Sequence, residues 1–506
     1  SLNESDDAGF RVKLADKYVS SMNILDSSYI ARKRLSKTWN SSSMAFNISE
    51  IGGDTSNLFF EPFSSSNYTL TLNGVVEDLG SSGKVVVSAN LKTVTISSLS
   101  GSPTGQAILT AAVRRSALSS KEKSLVRCNS LVVDKSELAG SGIGTTSLND
   151  GLIAGNYPYG TRVQDREISL NVPEVTRVLA IFESNEPSSN PPTLPAITVT
   201  NQTETFTGNV LVGEQFIGGL SGAVARVVDT PPGGTQLSFV YENENRFEIG
   251  ENISLKTSGI FATISAIVFG DRNIIKNFTL DNGQRREFAD FSRIVRKSGI
   301  EKPTGKLRII FDKLLNDEAS GNVETVNSYN ALDYSRDVPF VFDSFASDYI
   351  DFRPRVAPYT ASSNSPFSFA SRDFSGTTSE SVVSGKSMVV DYSYYMGRID
   401  RLYLSKSGVF STKEGKPSRL PKSPLPNEDA FQVATIKYPP YVRNASDVSV
   451  KRVPHKRFTM RDIGSLESRI KNLENYTTLS LLETDTKNLS IKDPNTGLDK
   501  FKSGFF

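Results

Sequence analysis

VGEQFIGGLSGAVARVVD (residues 212–229) aligns without a gap on IGENISLKTSGIFATISA (residues 249–266), an offset of 37 (249 − 212). Gly213 matches Gly250, Glu214 matches Glu251, Ser221 matches Ser258, Gly222 matches Gly259 and Ala225 matches Ala262. Apolar residues recur at Val212/Ile249, Phe216/Ile253 and Val227/Ile264. Gly-Glu and Ser-Gly each suit a tight turn, and the flanking apolar residues alternate as strands do. The intervening TPPGGTQLSFVYENENRFE (230–248) reads as turn, strand, turn. Two copies are too few for a solenoid. The pattern predicts a small pseudo-symmetric β-barrel over residues 196–275. Glu214 and Glu251 hold equivalent turn positions, which marks them as structural rather than as a catalytic pair.

The segments on either side are also strand-like. NYTLTLNGVV, GKVVVSAN, LKTVTISSL and AILTAAVRRS, between residues 67 and 116, are short, β-branched and separated by Gly/Ser/Pro turns. That spacing belongs to a sandwich or barrel. An N-terminal β-rich region is expected over 1–185, with sandwich-like strands from 67 to 185. SYIARKRLSKTW (28–39) reads as a short helix. The Pro-dense NEPSSNPPTLP (185–195) marks a boundary. A further β-rich region with long Ser/Pro loops is expected over 276–450. Within it, Asp281-Asn282-Gly283 between two strand-like runs predicts a hairpin with a type I′ turn. The Ser-rich stretch 360–388 reads as a long exposed loop that packs on a neighbour, and GKPSRLPKSPLPNEDA (415–430) as an extended connection.

Residues 451–506 differ from the rest. In RDIGSLESRIKNLENYTTLSLLE (461–483), Ile463, Leu466, Ile470 and Leu473 fall at steps of three, four and three, a heptad seam two repeats long. Tyr476, Leu479 and Leu482 continue the apolar stripe in a shifted phase. Thr459 with Asp462 three residues on is an N-terminal capping signal. The spacing predicts an assembly helix over 459–483 followed by an extended tail. Two heptads are marginal alone in water, so this seam must be covered, by the chain's own β structure, by a partner, or by another copy in a dimer or trimer. The fold class is therefore mainly β: β-sandwich and small β-barrel modules with one heptad-patterned helix near the C-terminus.

Composition limits the chemistry. The 506 residues carry 57 Lys plus Arg against 55 Asp plus Glu, which argues against nucleic-acid binding as the main task. One cysteine, Cys128, permits no intrachain disulfide and reads as a small buried hydrophobe. The single histidine, His455, leaves few ways to build a His-based triad or metal site, and it reads as an exposed loop residue. No apolar run is long enough to span a membrane. GSGIGTT (140–146) does not fit a dinucleotide fingerprint. DPNTGLD (493–499) lacks the acidic residue that closes an EF-hand and reads as a turn. In DSFASDYIDFRPR (343–355), Asp348 and Asp351 lie beside Arg353 and Arg355. Such a mixture is more often ion-paired structure than an acid/base couple. No catalytic residue, metal site or cofactor is expected.

REISLNVPEVTRVLAIFES (166–184), the paired Gly-Glu and Ser-Gly turns, NFTLDNGQRREFADFSRIVRK (277–297), DYIDFRPRVAP (348–358), YYMGRIDRLYLSKSGVF (394–410) and FTMRDIGSLESRIKNLENYTTLSLLET (458–484) follow in an informative order. From about residue 160 onward the chain resembles tail-associated structural proteins of large contractile-tailed phages, the cyanophage-like myoviruses in particular. The resemblance implies a virion component, made in the host cytoplasm, at the baseplate or tail-fibre attachment region. It implies other tail and baseplate proteins as partners and brings no catalytic residues. The abrupt ends at Ser1 and SGFF are what a portion of a longer polypeptide would show. The alternative is a tail-spike or receptor-binding protein that degrades or binds host glycans, with Asp348 and Asp351 as acids. Long arrays of similar coils would favour it, and only the two-copy repeat is present.

Overall fold

The computed structural model describes residues 10–52, 55–80, 83–97, 99, 104–133, 162–185, 191–317, 320–329, 332–341, 343–357, 374–375, 382–383, 385–455, 457–489 and 491–498. The chain forms two compact units, Ser1–Met396 and Gly397–Phe506. Among the described residues it is mainly β, with several sheets, one closed barrel and one long helix. GSGIGTT and most of the Ser-rich stretch 360–388 lie outside the described residues.

The repeat builds the barrel. Its six strands run, in order around the wall, Ala196–Thr200, Gln236–Tyr241, Val224–Asp229, Gln215–Gly218, Asn252–Leu255 and Phe261–Val268, and the last pairs with the first. The two copies meet where Phe216, Ile217 and Gly218 face Leu255, Ser254 and Ile253. Ile217 and Ser254 are themselves 37 apart, so a local pseudo-twofold axis passes through that pair and exchanges the pairs on either side. Each copy has a third strand: Gln236–Tyr241 beside Val224–Asp229, and Ala196–Thr200 beside Phe261–Val268. These two third strands pair with each other and close the wall. The second copy's third strand thus precedes the repeat in sequence, as in a permuted chain. Gly213 and Gly250 (φ 86° and 91°) and Gly222 and Gly259 (φ 62° and 71°) all take the left-handed conformation that favours glycine. Phe216, Phe239, Phe247, Ile253 and Ile264 fill the interior. Phe216 stacks on Phe247 with ring centroids 5.1 Å apart and meets Phe239 edge-on at 5.5 Å.

SYIARKRLSKTW is strand, not helix. It is the second half of Val19–Trp39 and pairs continuously with Gly105–Ser116, from Ser28 opposite Ser116 to Trp39 opposite Gly105. Tyr29, Ala31, Leu35 and Trp39 point into the core. Lys33 and Lys37 share that inward register and hide the two-residue period. Lys37 escapes burial by reaching the Ala45 carbonyl (2.8 Å) and Glu50 (2.7 Å). This sheet and the three-stranded sheet Ser43–Asn47, Thr93–Ser97 and Val85–Val87 share one core, with Trp39, Phe46, Phe60, Leu70, Ile96 and Leu109 inside.

Segments before and after the barrel share sheets. Lys123–Val133, Leu307–Asn316, Val175–Glu183 and Arg272–Asn273 form one; Glu167–Pro173, Phe291–Arg296 and Phe278–Asp281 form another. Regions 1–185 and 276–450, which read as successive in sequence, are therefore interleaved, and the barrel is an insertion between them. Linear patterning locates strands but not their partners, which is why the division failed. The second unit likewise begins at Gly397 rather than at 451. Phe278–Asp281 and Phe291–Arg296 do pair as a hairpin. Its connection runs from Asn282 to Asp290, so no two-residue type I′ turn forms. Only Gly283 takes positive φ there (75°), and a Cβ on it would lie 2.2 Å from the Asp290 carbonyl oxygen.

The second unit is a four-stranded antiparallel sheet, in order Phe410–Lys413, Arg398–Leu404, Phe431–Tyr438 and Ser449–Arg452, and the helix Met460–Asn488. The Pro-rich connection 415–430 has no regular structure and is pinned at both ends. The Gly415 amide donates to Asp400 (2.9 Å) and the Asn427 amide to the Tyr403 hydroxyl (3.0 Å). Among the described residues, no helix is long and apolar enough to cross a membrane.

Candidate assembly surface and the buried charge cluster

Asp400, Tyr403 and Ala434 are the buried side chains among the described residues of the second unit. Both edge strands, Phe410–Lys413 and Ser449–Arg452, are exposed throughout. The helix starts where the sequence places it: Thr459 accepts from the Asp462 amide (3.3 Å), and Asp462 accepts from the Thr459 amide (3.0 Å). These reciprocal bonds satisfy two otherwise orphaned donors. The helix runs to Asn488, five residues past the expected end at 483, and none of its 29 residues is buried. Ile463 is 48% exposed, Leu466 40%, Ile470 57% and Leu473 67%; Tyr476, Leu479 and Leu482 are exposed too. Among the described residues of the second unit, none covers the seam. Lys471 pairs with Glu467 one turn back (2.9 Å), and Thr477, Thr478, Thr484 and Thr486 bond back to their own helix carbonyls. These polar side chains are engaged within the helix, and the apolar stripe is left facing water.

The repeat turns hold a reciprocal device. Glu214 and Glu251 are each only 4% exposed. The Glu251 carboxylate accepts from the Leu220 and Ser221 amides of the first copy (3.2 and 3.1 Å) and from the Ser221 hydroxyl (3.0 Å). Glu214 accepts from the Thr257 and Ser258 amides of the second copy (2.6 and 2.5 Å). Each also takes an amide of its own turn, Glu248 for Glu251 and Leu211 for Glu214. Each copy's glutamate therefore caps the other copy's Ser-Gly turn. Charge-assisted hydrogen bonds of this kind are worth about 1.5–3 kcal/mol each, and a buried donor left unpaired costs about 1–3 kcal/mol. Glu251→Ala is expected to destabilise the barrel by about 2–3 kcal/mol, read as a lower urea midpoint, with Glu251→Gln intermediate. Glu214→Ala should match it; an effect of either alanine variant below about 0.5 kcal/mol would contradict the capping role.

Asp348 and Asp351 are both buried and committed. Asp348 accepts from the Val19 amide (3.1 Å) and from the Tyr334 hydroxyl, and burial pushes its carboxyl up from the ordinary range. Asp351 pairs with Arg353 (2.6 Å). Arg355 does not pair with either. It belongs to a cluster that sequence reading missed: Glu174, at 2.7 Å from Arg355 Nε, also holds Lys123 (2.8 Å), and Glu324 pairs with both Lys123 (2.6 Å) and Arg355. Two cations and two carboxylates, each no more than 5% exposed at the side chain, balance one another, and the Tyr329 hydroxyl adds a contact to Lys123 (3.0 Å). Burial alone would raise the Glu174 carboxyl; the charges of Arg355 and Lys123 outweigh it and hold it well below the usual range. Burial and the neighbouring Arg355 pull Lys123 down to about 8 against the attraction of Glu174. Glu174 faces two cations, whereas Lys123 shares its anions with a competing guanidinium. The members are drawn from four distant segments, and the lone charge in NVPEVT was the one available signal.

Cys128 is buried, its thiol pushed up to about 12 by burial, which suits an inert position. His455 is exposed; its ring lies 4.0 Å from that of Phe431 and its Nε2 is 2.7 Å from the Gln432 carbonyl oxygen. The 493–498 loop is a turn closed by the Gly497 and Asn495 amides on Asp493 (both 2.9 Å). Among the described residues, no group of three or more His, Cys, Asp and Glu side chains is placed to hold a metal ion.

A family model described as a domain of unknown function (DUF4815) matches residues 363–496, a minority of the chain that takes in the second unit's sheet and helix. Neither the comparison with curated proteins nor that with solved structures finds a match.

Proposed function

We propose that this chain is a structural subunit of a contractile phage tail, a baseplate wedge, peripheral baseplate or tail-fibre connector component, which assembles through its C-terminal unit. The observation that carries the reading is the 29-residue helix with no buried residue and an apolar stripe along it. A helix in water draws most of its stability from packing an apolar face. A contiguous exposed apolar surface marks a place where another macromolecule binds. The sheet beside it in sequence buries three side chains, too few for a core of its own. Obligate assembly interfaces of about 2,000 Å² or more supply what such a unit lacks. The phage setting comes from the sequence resemblance, and the near-balanced charge and the capped, ion-paired turns agree with a part that works by contact.

Crosslinking mass spectrometry on intact tails tests this. Lys471 and Lys487, on the helix, are expected to crosslink to other polypeptides or to a second copy. Absence of the chain from purified particles, or crosslinks from these lysines only within one chain, would overturn the reading.

A further inference from the structure

We propose that the helix seam is closed by a second copy of the same helix, parallel and in register. This rests on the reading of the helix as an assembly element and names its partner. With Ile463 and Ile470 at the first heptad position and Leu466 and Leu473 at the fourth, Arg469 falls at the seventh position and Glu474 at the fifth of the next heptad. In a parallel, in-register pair those two positions of opposite helices meet. Arg469 of each copy then faces Glu474 of the other, giving two symmetric ion pairs. An antiparallel pair with the same seam overlapped would instead set Glu467 against Glu467 and Arg469 against Arg469 of the other copy.

Among the described residues, the ion pair on the helix is Lys471 with Glu467, which uses neither Arg469 nor Glu474. Residues five apart do not face each other on one helix, so Arg469 and Glu474 are not an internal pair. The one unfavourable contact, Asp462 against Glu467 of the other copy, is softened because each is already engaged at home. Asp462 caps the helix with Thr459, and Glu467 pairs with Lys471. β-branched Ile at the first position with Leu at the fourth favours two strands. Beyond Leu473 the heptad positions fall on Thr477, Ser480 and Thr484, while Tyr476, Leu479 and Leu482 wind away around the helix at three-residue steps, so the paired seam is the stretch from Ile463 to Leu473.

The test uses the whole chain, with light scattering and sedimentation at low and high salt. The wild type is expected to self-associate to twice the chain mass. Arg469→Glu and Glu474→Arg should each weaken self-association about tenfold at low salt, because attraction becomes repulsion at two sites. The double swap should return to within about twofold of the wild type. Unchanged β-sheet circular dichroism shows that the variants fold. Oxidised Ile470→Cys should form a covalent dimer through that position. A wild type that stays monomeric at about 50 µM, about fifty-fold above a micromolar dissociation constant, overturns the proposal. So does a double swap no better than the single ones. If the wild type is monomeric but helix-seam variants still fail to enter particles, this inference falls while the assembly reading stands.

Discussion

Glu174→Ala is expected to destabilise the first unit by about 3–5 kcal/mol, the range for breaking a buried ion pair from one side. The loss is large because the remaining charges cannot reach water. Lys123 has a fully buried side chain, and Arg355 is 5% exposed. With Glu174 gone, Glu324 is the one carboxylate of this pair left facing both Lys123 and Arg355. The double variant Lys123→Met, Glu174→Leu should recover a large part of the loss, since it leaves Arg355 and Glu324 as a neutral pair. Glu174 also sits at φ 58°, at the corner where the chain passes from Glu167–Pro173 to Val175–Glu183, so its charge is held at the junction of two sheets. Urea unfolding of the three chains checks this. A single variant within about 1 kcal/mol of the wild type, or a double variant worse than the single, would contradict it.

The same carboxylate gives a pH dependence. Its pKa in the folded chain lies below that of the unfolded chain. Its contribution is therefore fully present above the unfolded value and is lost as pH falls toward the folded one. Acid unfolding of the wild type should begin below about pH 4.5, the ordinary glutamate range, and Glu174→Ala should flatten that part of the profile.

The parts legible in the sequence are those set by local pattern. The barrel repeat could be read because both copies keep the glycines that need positive φ and the glutamates that cap. What it did not reveal is that each glutamate reaches across to the other copy's turn, or that Ala196–Thr200 serves as a third strand ahead of the repeat. Those are facts of pairing between distant residues. The helix could be read because its capping box and its apolar steps lie within one short stretch. SYIARKRLSKTW misled because Lys33 and Lys37 occupy inward positions where a strand pattern calls for apolar residues. The charge cluster left almost no trace, because Lys123, Glu174, Glu324 and Arg355 come together only when the two central sheets form.

Ile470→Asp with Leu473→Asp is expected to abolish assembly while leaving the β structure intact. None of the helix residues is buried, so the substitutions take no side chain out of a core. In a closed seam the same carboxylates would be desolvated without partners. Each unpaired buried charge costs at least several kcal/mol, so association should fall by more than about a thousandfold. The change is confined to one face of one helix, which separates an assembly defect from a folding defect. The decisive measurement is incorporation: the double variant, supplied in place of the wild-type chain during particle production, with purified particles assayed for the chain. The proposed role predicts a folded chain absent from the particles. A folded double variant incorporated at wild-type levels would contradict it.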